Sequence, residues 1–103
     1  MSDMGSARPR PKRLAEKLLQ IRQRLKLSQP EMVKQMGVAE LIHYNNISKY
    51  EHDKNEPPLM ILLAYAKVAH VHLEEIVDDD IDLPHKLPST FDYYSRLTHD
   101  PEA

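Results

Sequence analysis

Apolar residues recur at helical spacing from residue 14 onward. Leu14, Leu18, Ile21 and Leu25 are separated by four, three and four positions, which is the spacing of one face of an α-helix. The pattern therefore predicts a first helix from about residue 13 to residue 26. No stretch of the chain alternates between apolar and polar residues as a half-buried strand does.

The second predicted helix begins with a capping signature at Ser28. The Ser28 hydroxyl can accept a hydrogen bond from a free backbone N–H of the first turn, and the Glu31 carboxylate can accept from the N–H of Ser28. Pro30 falls in that first turn, where its missing N–H costs nothing. Gly37 supplies the left-handed residue that commonly ends a helix. The inward-facing residues of this short helix are Met32, Val33 and Met36.

The third helix is defined less sharply by the sequence. Either Asn45 or Asn46 can cap a helix, which predicts a short helix from about Tyr44 to His52. A continuous helix from Ala39 to His52 is the alternative, and the apolar periodicity does not decide between the two.

Two further helices follow a polar loop that Pro57 and Pro58 close. Their apolar positions are Leu59, Leu62, Leu63 and Ala66 in the fourth helix, and Leu73, Ile76 and Val77 in the fifth, after His72 at the N-cap. The sequence thus predicts an all-α, five-helix domain at residues 13–78. A flexible basic arm precedes it at residues 1–12, and an acidic tail follows at residues 79–103, either disordered or bound to a partner or a second copy.

The net charge of −2 conceals an uneven distribution. Residues 8–55 carry eleven Lys and Arg against five Asp and Glu, whereas residues 74–103 carry nine acids against two basic residues. A basic half joined to an acidic tail is one form that a nucleic-acid-binding protein takes. Chance asymmetry on a solvated surface explains the same counts, so charge alone leaves both alternatives open.

Other kinds of chemistry have little support in the sequence. The chain has no cysteine and only two glycines, which excludes a disulfide framework, a thiolate metal site and a glycine-rich phosphate loop. The pair His70 and His72 lacks an obvious third metal ligand, and the acids at 78–82 lack the spacing of a calcium-binding loop. We expect no enzyme activity, no cofactor and no metal. The apolar run at 59–66 is too short to span a bilayer, so a cytoplasmic protein without membrane contact is expected.

Short motifs occur in a fixed order between residues 14 and 77. They are Leu25-x-Leu27-Ser28-Gln29, Met32-Val33, Gly37-Val38, Ile47-Ser48-Lys49-Tyr50-Glu51, Asn55-x-Pro57, Ala66-Lys67-Val68-Ala69 and Val71-His72-Leu73-Glu74-Glu75-Ile76. Together they make this stretch resemble the Cro/C1-type helix-turn-helix family of phage repressors and their bacterial relatives. The resemblance implies a lambda-repressor-like fold and a third helix that enters the major groove of DNA.

The resemblance also implies which side chains contact DNA. The base-facing residues would be Tyr44, Asn45, Ser48 and Lys49. Asn can pair with adenine, Lys can donate to guanine, and Tyr can contact a thymine methyl group or a phosphate. Gln29 corresponds to a phosphate-binding position, and looser phosphate candidates are Lys34, Lys54, Asn55, Arg10 and Arg13. Arg22 and Glu51 correspond to a structural ion pair of some phage repressors.

The chain departs from the family pattern at two places. Eight residues, 39–46, separate Val38 from Ile47, where about four are usual in the family. Asp53 stands where the family usually has glycine after the recognition helix, in a conformation that Asp tolerates less easily. The extra residues leave the register of the base contacts open.

The functional expectation is sequence-specific binding of duplex DNA by a small transcriptional regulator, in most members of the family a repressor. A homodimer on a palindromic site is expected, with half-sites about one helical turn (roughly 34 Å) apart. Two alternatives keep the same fold. In one, the acidic, aromatic tail binds and neutralises a basic protein, as in an antitoxin. In the other, the chain is a helical adaptor without affinity for DNA.

Overall fold

The computed structural model describes residues 9–89 of the chain, and five α-helices lie within this range. They are α1 (Leu14–Leu25), α2 (Gln29–Met36), α3 (Tyr44–Glu51), α4 (Leu59–Ala69) and α5 (Leu73–Val77). These residues contain no β-strand. The predicted all-α, five-helix architecture is therefore confirmed.

The predicted capping box of α2 is present. The Glu31 backbone N–H donates to Ser28 Oγ at 3.2 Å, and the Ser28 N–H donates to Glu31 Oε1 at 2.8 Å. The hydrogen bond from the Ser28 backbone N–H, followed by that from the Ser28 side chain, holds the pKa of the Glu31 carboxyl below its usual value. At the other end of α2, Gly37 has a φ of 70°, the left-handed conformation that glycine adopts without strain.

The extra residues before α3 form a turn. The N–H groups of Leu41 and Ile42 both donate to the Val38 carbonyl, at 2.8 and 3.0 Å. A continuous helix from Ala39 is thus ruled out, and α3 begins at Tyr44. The lengthened segment lies outside α3 and does not extend it.

The N-cap of α3 is His43, so the prediction of an asparagine cap was wrong. His43 Nδ1 accepts from the Asn45 N–H at 3.1 Å, and Asn46 Oδ1 accepts from the His43 N–H at 3.1 Å. Asn45 and Asn46 lie within the first turn of the helix. There, Asn46 takes the place that Glu31 has in α2.

The core lies where the five helices meet. α3 packs against α1 and α2, while α4 packs against α1, α2 and α5. Each helix contributes at least one side chain that is at most 2% exposed. Examples are Leu18 and Ile21 of α1, Met32 of α2, Ile47 of α3, Ile61 and Tyr65 of α4, and Ile76 of α5.

A nearly buried ion pair joins α1 to the end of α3. Arg22 Nε donates to Glu51 Oε2 at 2.6 Å, and Arg22 Nη2 donates to Glu51 Oε1 at 2.9 Å. The Glu51 side chain is 3% exposed and that of Arg22 18%. The hydrogen bond to Glu51 raises the pKa of Arg22. The structural pair implied by the family resemblance is therefore formed in this chain.

The packed part of the chain continues beyond residue 78, where the sequence pattern placed the end of the domain. Leu83 is buried in the core. Lys17 of α1 is fully buried as well, and its Nζ donates to the carbonyls of Glu75, Asp78 and Ile81 at 2.9, 2.8 and 2.5 Å. Periodicity missed this segment because one leucine among acids and prolines carries no helical repeat.

The segment after α5 also caps the start of α1. Asp79 accepts from the backbone N–H groups of Lys12 and Arg13 at 2.8 and 2.9 Å, which lowers the pKa of the Asp79 carboxyl. Part of the predicted tail therefore holds the helix that begins the domain. The remaining tail, including Phe91 and Leu97, and residues 1–8 of the predicted arm lie outside the described residues.

We predict that Lys17→Met lowers the free energy of unfolding by about 1–3 kcal/mol or more, because three buried carbonyls lose their donor. Urea denaturation at pH 7, followed by circular dichroism, measures the change. Lys34→Met, at an exposed position of α2, is the control and should change stability by less than about 0.5 kcal/mol. Equal losses in the two variants would contradict the role of Lys17.

Glu51→Gln should lower the free energy of unfolding by about 2–3 kcal/mol, because it leaves the Arg22 guanidinium without its carboxylate. The loss is smaller than the 3–5 kcal/mol typical of a fully buried pair, since Arg22 keeps some contact with solvent. Asp53→Asn is the matched control, because it removes an exposed partner of Arg10 and should cost at most about 1 kcal/mol. Chemical denaturation of both variants tests the difference in burial.

Candidate nucleic-acid interface

Helix α3 presents its polar residues on one face. Tyr44, Asn45 and Lys49 are exposed and Ser48 is half-buried. Positions 44, 45, 48 and 49 fall on one side of an α-helix because side chains four residues apart are neighbours. The opposite face of α3 is apolar, and its buried residues are Ile47 and Tyr50. The structure thus brings all four predicted base-facing residues together on one outward surface.

The beginning of α3 carries a histidine that sequence reasoning missed. His43 is exposed, and its ring lies 4.2 Å from that of Tyr44, centroid to centroid, with the planes tilted by 33°. Tyr44 itself is 42% exposed. His43 therefore adds a polar ring to the surface formed by α3. Its position directly before the first helical residue was the available signal, but asparagine is the commoner capping residue.

The residues predicted to face the bases differ in how strongly their own chain holds them. Ser48 Oγ lies 3.4 Å from His52 Nδ1, which is also 2.7 Å from the Ser48 carbonyl. The Lys49 ammonium forms no ion pair within residues 9–89. Lys49 can therefore donate to a base edge without first losing a partner in that part of the chain.

Gln29 occupies the first turn of α2 and contacts the ion pair. Its Nε2 donates to Glu51 Oε1 at 3.3 Å, so the residue predicted to contact phosphate is half-buried and joins α2 to α3. The dipole of a helix favours an anion at this end. In the first turn of α2, Pro30 has no N–H and the Glu31 N–H donates to Ser28 Oγ, so the Gln29 N–H is the donor that remains for a phosphate.

The loop after α3 folds back onto the end of the helix. Asp53 has a φ of 58°, so it adopts the left-handed conformation in which the family usually has glycine. The N–H groups of Lys54 and Asn55 donate to the Lys49 carbonyl at 2.8 and 3.4 Å. Both side chains are exposed. Two of the predicted phosphate-contacting residues thus lie beside the C-terminal end of α3.

Arg10 of the predicted arm and Arg13, directly before α1, contact different partners. Arg10 Nη1 donates to Asp53 Oδ1 at 2.9 Å and to the Asp53 carbonyl at 3.2 Å, which places this basic residue beside the loop after α3. Arg13 Nη2 instead lies 2.8 Å from Asp82 Oδ1, and this contact raises the pKa of Arg13. Lys34 is exposed on α2 and forms no ion pair among the described residues.

Residues 9–89 contain no group of three or more His, Asp or Glu side chains placed to hold a metal ion. None of the helices in this range has the length and apolar character needed to cross a membrane.

Comparison with known proteins supports the assignment of α2 and α3 as a helix-turn-helix. A helix-turn-helix family model matches residues 18–76, which is more than half of the 103 residues and includes α2, α3 and the turn between them. No curated protein and no solved structure matches the chain significantly. The family that the motifs suggested is confirmed, and so is the lambda-repressor-like arrangement of helices. The chain therefore belongs to the Cro/C1-type helix-turn-helix family of DNA-binding transcription regulators.

Proposed function

We propose that this regulator binds duplex DNA sequence-specifically by placing α3 in the major groove. The observation that carries the proposal is the single outward face of α3 that displays Tyr44, Asn45, Ser48 and Lys49. Asn and Lys side chains supply the donors and acceptors that distinguish base pairs in the major groove. The extra residues lie in the turn before α3, so they leave these four residues in register with the buried anchor Ile47.

Phosphate contacts would fix the orientation of α3 on the duplex. Gln29 at the start of α2 contacts Glu51, the last residue of α3, and the N–H groups of Lys54 and Asn55 donate to the Lys49 carbonyl. All three residues therefore lie near the C-terminal end of α3. Lys34 and Arg10 would add positive charge along the backbone. Arg13 would first have to exchange Asp82 for a phosphate, which makes it the weakest of the proposed phosphate contacts.

We further propose a homodimer that represses transcription by occupying its site. The eight residues of α3 are about 12 Å long at 1.5 Å per residue, which covers only a few base pairs. One copy therefore reads too little sequence to select a site in a genome. Two copies related by a twofold axis would read half-sites about 34 Å apart.

A fluorescence-anisotropy titration with a pool of random duplexes tests whether DNA is bound. We expect the affinity to fall steeply between 50 and 200 mM salt, because each phosphate contact releases counterions. Lys34→Gln should reduce the slope of log K against log salt by about 1. Absence of binding to any duplex at low salt would contradict the proposal.

Lys49→Ala should reduce discrimination between the selected site and its single-base variants by about 1–3 kcal/mol at one base pair, the usual value of a good side-chain contact to a base. The site is first obtained by selection from random duplexes. Lys34→Ala is the control, and it should weaken binding to all sequences alike, since a phosphate contact carries no sequence information. Unchanged discrimination by Lys49→Ala would show that other residues read the bases.

A further inference from the structure

An apolar groove lies between the C-terminal end of α2, the turn before α3 and one side of α4. Its volume is about 380 Å³. The side chains that define it are Met36, Leu41, Met60, Leu63, Lys67 and Val68. The groove lies at the C-terminal end of α2. The N-terminal end of α2, at Gln29, is the end that we propose contacts phosphate.

Two of the groove residues are unusually exposed. Leu41 is 70% exposed and Met60 65%, although both are large and apolar. Leu41 belongs to the lengthened turn, so the extra residues build one wall of the groove. A contiguous apolar surface of this kind marks a place where another apolar group binds.

The chemistry of the groove identifies the class of group that fits it. Lys67 is its only charged lining residue. A site for a small polar ligand would contain several polar groups that converge on one point, and a DNA backbone would need more than one cation. The groove therefore fits apolar side chains that are accompanied by a few acids.

A segment of this composition begins where the described chain ends. Residues 90–103 contain the apolar residues Phe91, Tyr93, Tyr94 and Leu97, and three acids, Asp92, Asp100 and Glu102, against one arginine, Arg96. The Pro88 carbonyl lies 3.3 Å from His70 Nδ1, and His70 is the C-cap of α4. Lys67 and Val68, which line the groove, are within one helical turn of His70.

The distance from His70, where Pro88 lies, to the far end of the groove is short. The part of α4 between Met60 and Val68 measures about 12 Å at 1.5 Å per residue. An extended chain covers about 3.3 Å per residue, so the first eight residues after Ser89 can span the whole groove. Asp92, the acid nearest to Ser89, would then lie near Lys67.

We propose that the groove binds the apolar side chains of residues 90–103 of the same chain. The segment then covers Leu41 and Met60 and brings a carboxylate to Lys67. This interaction does not depend on DNA binding, so it can be tested on the free protein.

The chain has no cysteine, so Thr98→Cys provides a single site for a nitroxide label on the full-length protein. We expect paramagnetic broadening of the backbone amide signals of Leu41, Leu63 and Val68 in the ¹⁵N-labelled chain. Met60→Glu should abolish the broadening, because it places a charge in the groove. Leu59→Glu is the matched control, since Leu59 is 67% exposed but does not line the groove, and it should leave the broadening unchanged.

A mixed sample separates the same chain from a second copy. One half of the mixture is ¹⁵N-labelled chain without a nitroxide, and the other half is Thr98→Cys chain that carries the nitroxide but no ¹⁵N. We expect no broadening of the groove signals in this mixture. Broadening in this mixture as strong as in the singly labelled chain would overturn the proposal in favour of a second copy. No broadening in either sample, or broadening that survives Met60→Glu in a protein with an unchanged circular dichroism spectrum, would overturn it as well.

Discussion

The orientation of α3 depends on one carboxylate, that of Glu51. It receives two hydrogen bonds from Arg22 of α1 and a third from Gln29 at the start of α2. Three helices therefore meet at a group that is almost entirely shielded from water. A buried charge that loses its partners is costly, so the angle of α3 relative to the rest of the domain has little freedom. The same angle sets the direction in which the proposed base-facing residues of α3 point.

The network also joins the two helices that we propose contact DNA. Gln29 belongs to the helix end proposed to contact phosphate, whereas Glu51 is the last residue of the helix that carries the proposed base-facing residues. A movement of α2 would therefore move α3 with it. Tyr65 is buried near the same pair, where the charge of Glu51 adds to burial in raising the pKa of the hydroxyl. Its buried hydroxyl has no hydrogen-bond partner among the described residues, so one polar group beside the ion pair is left without a hydrogen bond there.

Features governed by neighbouring residues were predictable from the residues themselves, whereas contacts between distant residues were predictable only where the family resemblance implied them, as for Arg22 and Glu51. The capping box at Ser28 requires only a residue three positions away, and it is present as predicted. The cap of α3 is equally local, but histidine is a less usual capping residue than asparagine, so the wrong residue type was chosen. The burial of Lys17 had no local signal at all, because its three acceptors lie on residues far along the chain. The face of α3 was predictable because the anchor Ile47 stands within the family pattern, independent of the longer turn before it.

The burial of Lys17 has a consequence for the order of events during synthesis. Its acceptor carbonyls belong to residues 58 to 64 positions later in the chain. While the ribosome is still adding those residues, α1 can form, but its lysine must stay hydrated because burying an unpaired ammonium is prohibitive. Lys17 can therefore reach its buried position only after residue 81 has left the exit tunnel. A chain interrupted earlier would leave the Lys17 ammonium in water and α1 without the contacts to the segment after α5, even if the helix-turn-helix itself were complete.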